Sequence, residues 1–135
     1  MSYDISLVDP VTRETLTMDA PHQMRGGTYA IEGTDEMWVN ITYNYARWYY
    51  KDYAFGEKGI RSIYGLSGAE SISVLKKAIA GLEDSDEELP YEEAKQCLEQ
   101  GATGYWLPAR TNAIRPLYQL LALAQMRPDG VWEGD

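Results

Sequence analysis

The chain has 135 residues, of which 44% are hydrophobic and 24% charged, and its formal net charge is −9. This length and composition suit one globular domain, so we expect residues 1–135 to fold as a single unit. The acidic balance disfavours contact with phosphate backbones, and no apolar run approaches the ~20 residues that span a bilayer.

The lack of a secretory signal and the single cysteine indicate a reducing compartment. The first ten residues are polar and lack the basic and apolar regions of a secretory signal peptide. The only cysteine, Cys97, has no partner for an internal disulfide or for a CxxC zinc motif. We therefore expect a cytoplasmic protein.

The N-terminal part predicts short antiparallel strands. Residues 3–19 alternate apolar and polar side chains around a turn at residues 9–12, which is typical of a β-hairpin. Pro21 is expected to break the chain, and a short strand is expected at residues 28–32. A further turn is expected at residues 33–35.

Residues 37–45 predict the clearest strand, with one buried face and one polar or wet face, because the alternation is strict. From Tyr45 to Tyr53 the aromatic spacing becomes helical, and Gly56 is expected to end that helix. Residues 60–64 predict a short helical turn.

Three helices are predicted in the second half. Residues 67–70 form a capping-box pattern that opens the first, and Gly81 is expected to weaken its last turn. Residues 90–100 predict the second. For the third, Asn112 is the expected N-cap, because Pro116 is tolerated only near a helix start.

The predicted fold is therefore α+β. It consists of an N-terminal antiparallel meander of three or four strands packed against C-terminal helices. The helix after Asn112 is expected to stop at residues 127–130, and residues 131–132 are expected to fold back onto the body.

The first candidate binding segment is Arg25-Gly26-Gly27. Two glycines let backbone N–H groups approach a ligand, and an arginine can hold a carboxylate or a phosphate with two hydrogen bonds. A Gly-Gly pair before a strand also forms ordinary turns, so both interpretations stay open.

The polar face of strand 37–45 is the second candidate. Trp38, Asn40, Thr42 and Asn44 should project to the same side, and an aromatic ring beside amides and a hydroxyl suits recognition. The alternative is a sheet face that is simply open or is covered by a helix.

Aromatic and cationic residues further along the chain form the third group. The helical stripe of Tyr45, Trp48, Tyr49 and Tyr53 predicts either core packing or an interface between two copies of the chain. Two pairs of neighbouring residues are expected to suit an anion. One is Arg47 with Lys51, and the other is Arg61 with Tyr64.

Catalytic chemistry has little support in the sequence. His22 is the only histidine, and a structural or surface role is preferred over that of a general base. Because no metal-ligand spacing, P-loop or nucleophile motif is present, we predict no catalytic residue, metal or cofactor. The acidic run at residues 83–88 predicts a solvated loop, with weak cation binding as the alternative.

Several segments also carry a resemblance. They are Arg25–Tyr29, Trp38–Tyr45, Gly59–Gly65, Ser67–Ile72 and Arg127–Asp135. Together they resemble small proteins encoded in bacterial genomes and in phage or prophage regions, to which no function is attached. The resemblance covers nearly the whole chain and implies a binding role, such as inhibition of host defence, capture of signalling nucleotides, or immunity to a toxin.

The function we expect is that of a non-enzymatic binding protein of this mobile-element type. The eleven tyrosines and four tryptophans, against one phenylalanine, favour wet interfaces. In one mechanism, the acidic surface occupies a basic, nucleic-acid-binding groove of a host defence protein. In the other, aromatic rings stack on a small nucleotide-like ligand while Arg25, Arg47 or Arg61 pairs with its phosphate.

Three alternatives remain at this stage. The chain could be an immunity protein that neutralises a toxin, because acidity and small size suit that role as well. It could be a structural accessory protein of a phage particle. It could also be a small hydrolase that uses His22 with carboxylate or tyrosine acid–base chemistry.

Overall fold

The computed structural model of the protein describes residues 1–22 and 33–135, and its fold is α+β, as the sequence predicts. The strands are β1 (Ser2–Val8), β2 (Thr17–His22), β3 (Thr34–Glu36), β4 (Trp38–Thr42) and β5 (Val131–Gly134). The helices are α1 (Ala46–Tyr49), α2 (Gly68–Asp84), α3 (Tyr91–Glu99) and α4 (Arg110–Met126). Short 3-10 helices occupy Tyr43–Tyr45, Gly59–Ile63 and Gly104–Trp106.

The main sheet has three antiparallel strands in the order β4-β1-β5. Strand β1 lies in the middle, with Ile5 opposite Val39 of β4 and Leu7 opposite Trp132 of β5. All four of these side chains are buried, as is Tyr3 of β1. The last strand of the chain therefore completes a sheet whose other strands are N-terminal.

The predicted reversal after β1 is present, but its second arm leaves the sheet. Asp9 organises the turn, because its Oδ1 accepts hydrogen bonds from the backbone N–H groups of Val11 and Thr12 at 2.8 and 2.9 Å. Only one bridge, between Val8 and Thr15, joins the two arms. Strand β2 then pairs with β3, because both edges of β1 are already occupied by β4 and β5.

Pro21 does not break the chain as expected, because it lies inside β2. In the described residues this strand has β3 as its one neighbour, and proline is tolerated in strands at the edge of a sheet. The turn predicted at residues 33–35 is also wrong at Thr34 and Asp35, because both residues belong to β3. The strand predicted at residues 28–32 lies outside the described residues.

The strand predicted over residues 37–45 is shorter than expected. It ends at Thr42, whose hydroxyl accepts a hydrogen bond from the Asn44 N–H at 3.2 Å and caps the 3-10 helix that follows. The predicted helix from Tyr45 to Tyr53 is regular only in the four residues of α1 and continues as turns toward Gly56, which has a φ of +81°.

Helices α2 and α4 pack against each other. The predicted capping box of α2 is confirmed: Ser67 Oγ accepts from the Glu70 N–H at 3.0 Å, and Glu70 Oε1 accepts from the Ser67 N–H at 2.9 Å. The predicted start of α4 is wrong, because the helix begins two residues before Asn112 and contains Pro116 in its interior.

The core joins the inner face of the sheet to α2 and α4. Its buried members include Tyr3, Ile5, Leu75, Leu117 and Trp132. Among residues 1–22 and 33–135, no helix combines the length and the apolarity needed to cross a membrane.

Candidate functional site

The aromatic stripe of the 45–53 segment belongs to the core. Tyr45, Trp48 and Tyr49 are at most 2% exposed, and Tyr53 is partly buried against them. Of the two predicted roles, the structure supports core packing, because three of the four side chains are not accessible to a second copy of the chain. Burial raises the pKa of Tyr45 to about 12 and raises that of Tyr49 well above its usual value.

The polar tips of this stripe hold the loop at residues 103–109. The Tyr45 hydroxyl donates to the Tyr105 carbonyl, and the Trp48 Nε1 donates to the Pro108 carbonyl at 2.8 Å. Asn44 adds a hydrogen bond from its Nδ2 to the backbone of the same loop at 2.7 Å. Three side chains from the segment after β4 therefore fix the position of the loop.

Asn112 holds the same loop from the helix side. Its Nδ2 donates to the carbonyls of Gly104 and Leu107 at 2.9 and 3.0 Å. These bonds explain why Asn112 does not cap α4, since its side chain is already committed to the loop. The loop presents the rings of Tyr105 and Trp106, which are 42% and 38% exposed.

The polar face of β4 does not form the predicted open recognition surface. Asn40 and Thr42 are buried, Trp38 is partly buried, and Asn44 alone is exposed. The Asn40 Nδ2 donates to the Asp4 carboxylate on the neighbouring strand β1 at 2.6 Å. Sequence alternation identified the two faces correctly, but this polar face is used for contacts within the protein.

Arg61, one of the cations of the predicted anion site, makes contacts within the protein. Arg61 lies over the Tyr3 ring, with 4.8 Å between its Cζ and the ring centroid, and its Nε donates to the Asp135 main-chain oxygen at 3.0 Å. Tyr64 lies against Gly134, and in the described residues its buried hydroxyl has no hydrogen-bond partner. The segment Arg25, Gly26 and Gly27 lies outside the described residues.

Arg47 and Lys51 lie together, as predicted from their spacing, but both face carboxylates. Arg47 pairs with Glu93 of α3 at 2.6 Å, and Lys51 pairs with Glu87 at 2.9 Å. A cavity of about 390 Å³ between α1 and α3 is lined by these four residues and by Trp48, Glu88 and Pro90. Because the two cations are matched by acidic residues, this cavity offers an anion little net positive charge.

His22 lies on β2, with its Nε2 2.6 Å from the Glu36 carbonyl oxygen. This arrangement ties β2 to β3, and the histidine is only partly exposed. Across residues 1–22 and 33–135, no group of three or more His, Cys, Asp or Glu side chains is arranged to hold a metal ion.

A largely exposed segment is formed by residues 83–99, which we call the acidic arm. It contains the loop after α2 and all of α3, and none of the nine residues of α3 is buried. Tyr91 is 76% exposed and Leu98 is 50% exposed. Sequence reasoning predicted the helix but missed these two residues, although Tyr91, Ala94 and Leu98 follow the i, i+3, i+7 spacing of an apolar helix face.

The acidic arm holds most of the net charge of the protein. It contains eight acidic residues and one lysine, a net −7 of the chain's −9. In the described structure, Glu83, Glu87 and Glu93 accept side-chain hydrogen bonds. Five carboxylates of the arm make no such bond among the described residues, and they belong to Asp84, Asp86, Glu88, Glu92 and Glu99.

Comparison with known proteins gives no match: no family model fits the sequence, and no significant similarity is found to a curated protein or to a solved structure.

Proposed function

We propose that the protein is a non-enzymatic binding protein whose acidic arm occupies a basic surface on a protein partner. The observation that carries this proposal is the concentration of a net −7 in residues 83–99, a segment whose helix leaves Tyr91 and Leu98 exposed. Such a surface attracts a basic partner at long range and offers apolar contacts at short range.

The other proposed mechanism, capture of a nucleotide-like anion, has weaker support. Arg47 is paired with Glu93, and Arg61 is occupied by the Tyr3 ring and the Asp135 main-chain oxygen. A phosphate would compete with these contacts and would approach a strongly acidic protein. The charge distribution therefore favours a basic protein over an anionic ligand.

A basic nucleic-acid-binding groove is the partner surface that matches best. Its lysines and arginines are spaced to meet phosphates, and the arm offers five carboxylates without bonds of their own in the described structure. By covering such a groove, the protein would compete with nucleic acid for the same cations. Inhibition of a host defence protein is one instance of this mechanism.

Affinity capture from a lysate of the source organism, with matched charge variants, tests the proposal. The arm variant carries Asp84→Asn, Asp86→Asn and Glu92→Gln, and the control variant carries Asp19→Asn, Asp35→Asn and Glu57→Gln. Both variants lose three negative charges, and all six positions are exposed. We expect the unmodified protein and the control to retain the same basic protein, and the arm variant to lose it.

The salt dependence and a competitor complete this test. Captured protein should elute when ionic strength rises from low to moderate values, because exposed charges are screened within a Debye length of about 8 Å at 0.15 M salt. Excess double-stranded DNA should also displace it. Retention that is equal for both variants, or that resists salt and DNA, would refute the proposed function.

A further inference from the structure

A groove separates the acidic arm from the segment that leads into α4. Leu89 and Ala94 of the arm form one apolar wall, and Leu107 and Ala109 form the other. All four side chains are partly exposed, and the groove has a volume of about 280 Å³. Since small-molecule sites usually measure about 300–1,000 Å³, this size suits an apolar side chain better than a cofactor.

The rim of the groove is acidic. Glu87 and Glu88 lie along it, and within the described part of the chain Arg110 is the one cation that lines it. The Arg110 guanidinium is already bonded to the protein backbone, from Nε to the Glu87 carbonyl at 2.7 Å and from Nη1 to the Leu82 carbonyl at 2.6 Å. Its fixed position supports the arm. Of the two rim carboxylates, Glu87 is paired with Lys51 at 2.9 Å, and Glu88, which has no ion pair in the described structure, is left to face an incoming segment.

The apolar surface continues from the groove along α3. Tyr91 and Leu98 lie on the same face of the helix as Ala94, one turn before it and one turn after it. A chain lying along this face would therefore meet an apolar strip on a strongly acidic segment. Recognition of a helix in a groove typically uses a few apolar anchor residues at regular spacing.

Charge selects the occupant of the groove. A second copy of this chain would bring two arms of net −7 together, and both nucleic acid and an anionic membrane would be repelled by the same carboxylates. A protein segment with lysines or arginines around an apolar residue matches both the rim and the walls.

We infer that the groove between the acidic arm and residues 107–111 binds an apolar side chain of a basic protein segment, whose cations lie against the arm's carboxylates. This inference rests on the proposed function, because it assumes that the arm is the binding surface. It adds that recognition depends on a particular apolar anchor as well as on charge.

Two synthetic helical peptides of equal length and charge test the inference, one built from lysine and leucine and one from lysine and serine. Ala94→Trp fills the groove without a change in charge. Ala69→Trp, at an exposed position at the far end of α2 from the arm, is the matched control. Fluorescence anisotropy gives the dissociation constants, and circular dichroism verifies that both variants are folded.

We expect the lysine–leucine peptide to bind the unmodified protein at least about tenfold more tightly than the lysine–serine peptide. Ala94→Trp should remove this difference, and Ala69→Trp should preserve it. In NMR spectra of the unmodified protein, the methyl signals of Ala94, Leu107 and Ala109 should shift only with the lysine–leucine peptide, which gives a readout independent of any variant.

Equal affinities for the two peptides, or unshifted methyl signals, would overturn the inference while leaving the charge-based function standing. Failure of both peptides to bind would contradict the proposed function itself. If the unmodified protein is dimeric and Ala94→Trp makes it monomeric, the groove is occupied by a second copy and the inference is wrong.

Discussion

Replacement of Gly81 by alanine is a sharp test of how the acidic arm is attached to the body. Gly81 lies in the last turn of α2, directly before the arm, where the helix passes over the turn that follows α1. A Cβ at this position would overlap the Tyr53 carbonyl group and would lie 2.6 Å from its carbon atom. Real Cβ atoms essentially never approach another heavy atom closer than 3.0 Å, so the backbone must move.

Two effects of opposite sign set the magnitude. Helix propensity alone favours alanine over glycine by about 0.5–1 kcal/mol in a helix interior. Overpacking usually costs about 1–3 kcal/mol, and the upper part of that range applies where the obstacle is backbone and cannot change rotamer. We therefore expect Gly81→Ala to lower the free energy of unfolding by about 2 kcal/mol.

Urea unfolding followed by far-UV circular dichroism measures this change as a lower midpoint with an unchanged slope. In a thermal melt the same loss corresponds to a decrease in Tm of roughly 6–10 °C for a chain of this size. Ala80→Gly, at an exposed position of the same helix, isolates the propensity effect and should cost up to about 1 kcal/mol. A Gly81→Ala protein as stable as the unmodified chain, or more stable, would refute the reasoning.

Three further outcomes follow from buried hydrogen bonds and phenols. Ser71→Ala should lower the free energy of unfolding by about 1–3 kcal/mol, because the buried indole N–H of Trp132 loses its acceptor at 2.8 Å; a loss below about 0.5 kcal/mol in urea unfolding would contradict this. Trp48→Phe should accelerate amide hydrogen exchange in the loop that contains Pro108, because the ring stays buried while the N–H that holds the loop is lost; unchanged exchange would count against that role. Burial raises the pKa of Tyr45 from 10.0 to about 12, so its contribution to stability is complete below pH 10 and is lost as pH rises through about 12. In urea unfolding, the free energy of unfolding should therefore decline less steeply over this interval for Tyr45→Phe than for the unmodified protein. Equal declines would exclude the effect.

Local chemistry was sufficient where one segment determines its own structure. The pattern from Ser67 to Glu70 predicted a capping box because both hydrogen bonds form within four residues. Asn112 failed as a predicted cap because its side chain bonds to a loop whose position depends on Tyr45 and Trp48. No local pattern reports such a competing contact.

In the candidate site, too, local patterns predicted some features, whereas features that depend on distant contacts were missed. Alternation along β4 separated its two faces but could not reveal that Asn40 contacts Asp4 on β1. A polar face covered by neighbouring polar groups has the same sequence pattern as one in water. By contrast, the exposed face with Tyr91 and Leu98 was readable from helical spacing, and the missing information was that it stays uncovered by residues 1–22 and 33–135.

The pairing of β5 with β1 has a consequence for synthesis of the chain. Leu7 pairs with Trp132, so the central strand has one edge unpaired until residues 131–134 have been synthesised and are free to fold. During that interval an apolar strand with free backbone groups is open to pairing with other nascent chains. Yield of native protein should therefore depend on how quickly β5 becomes available to pair with β1.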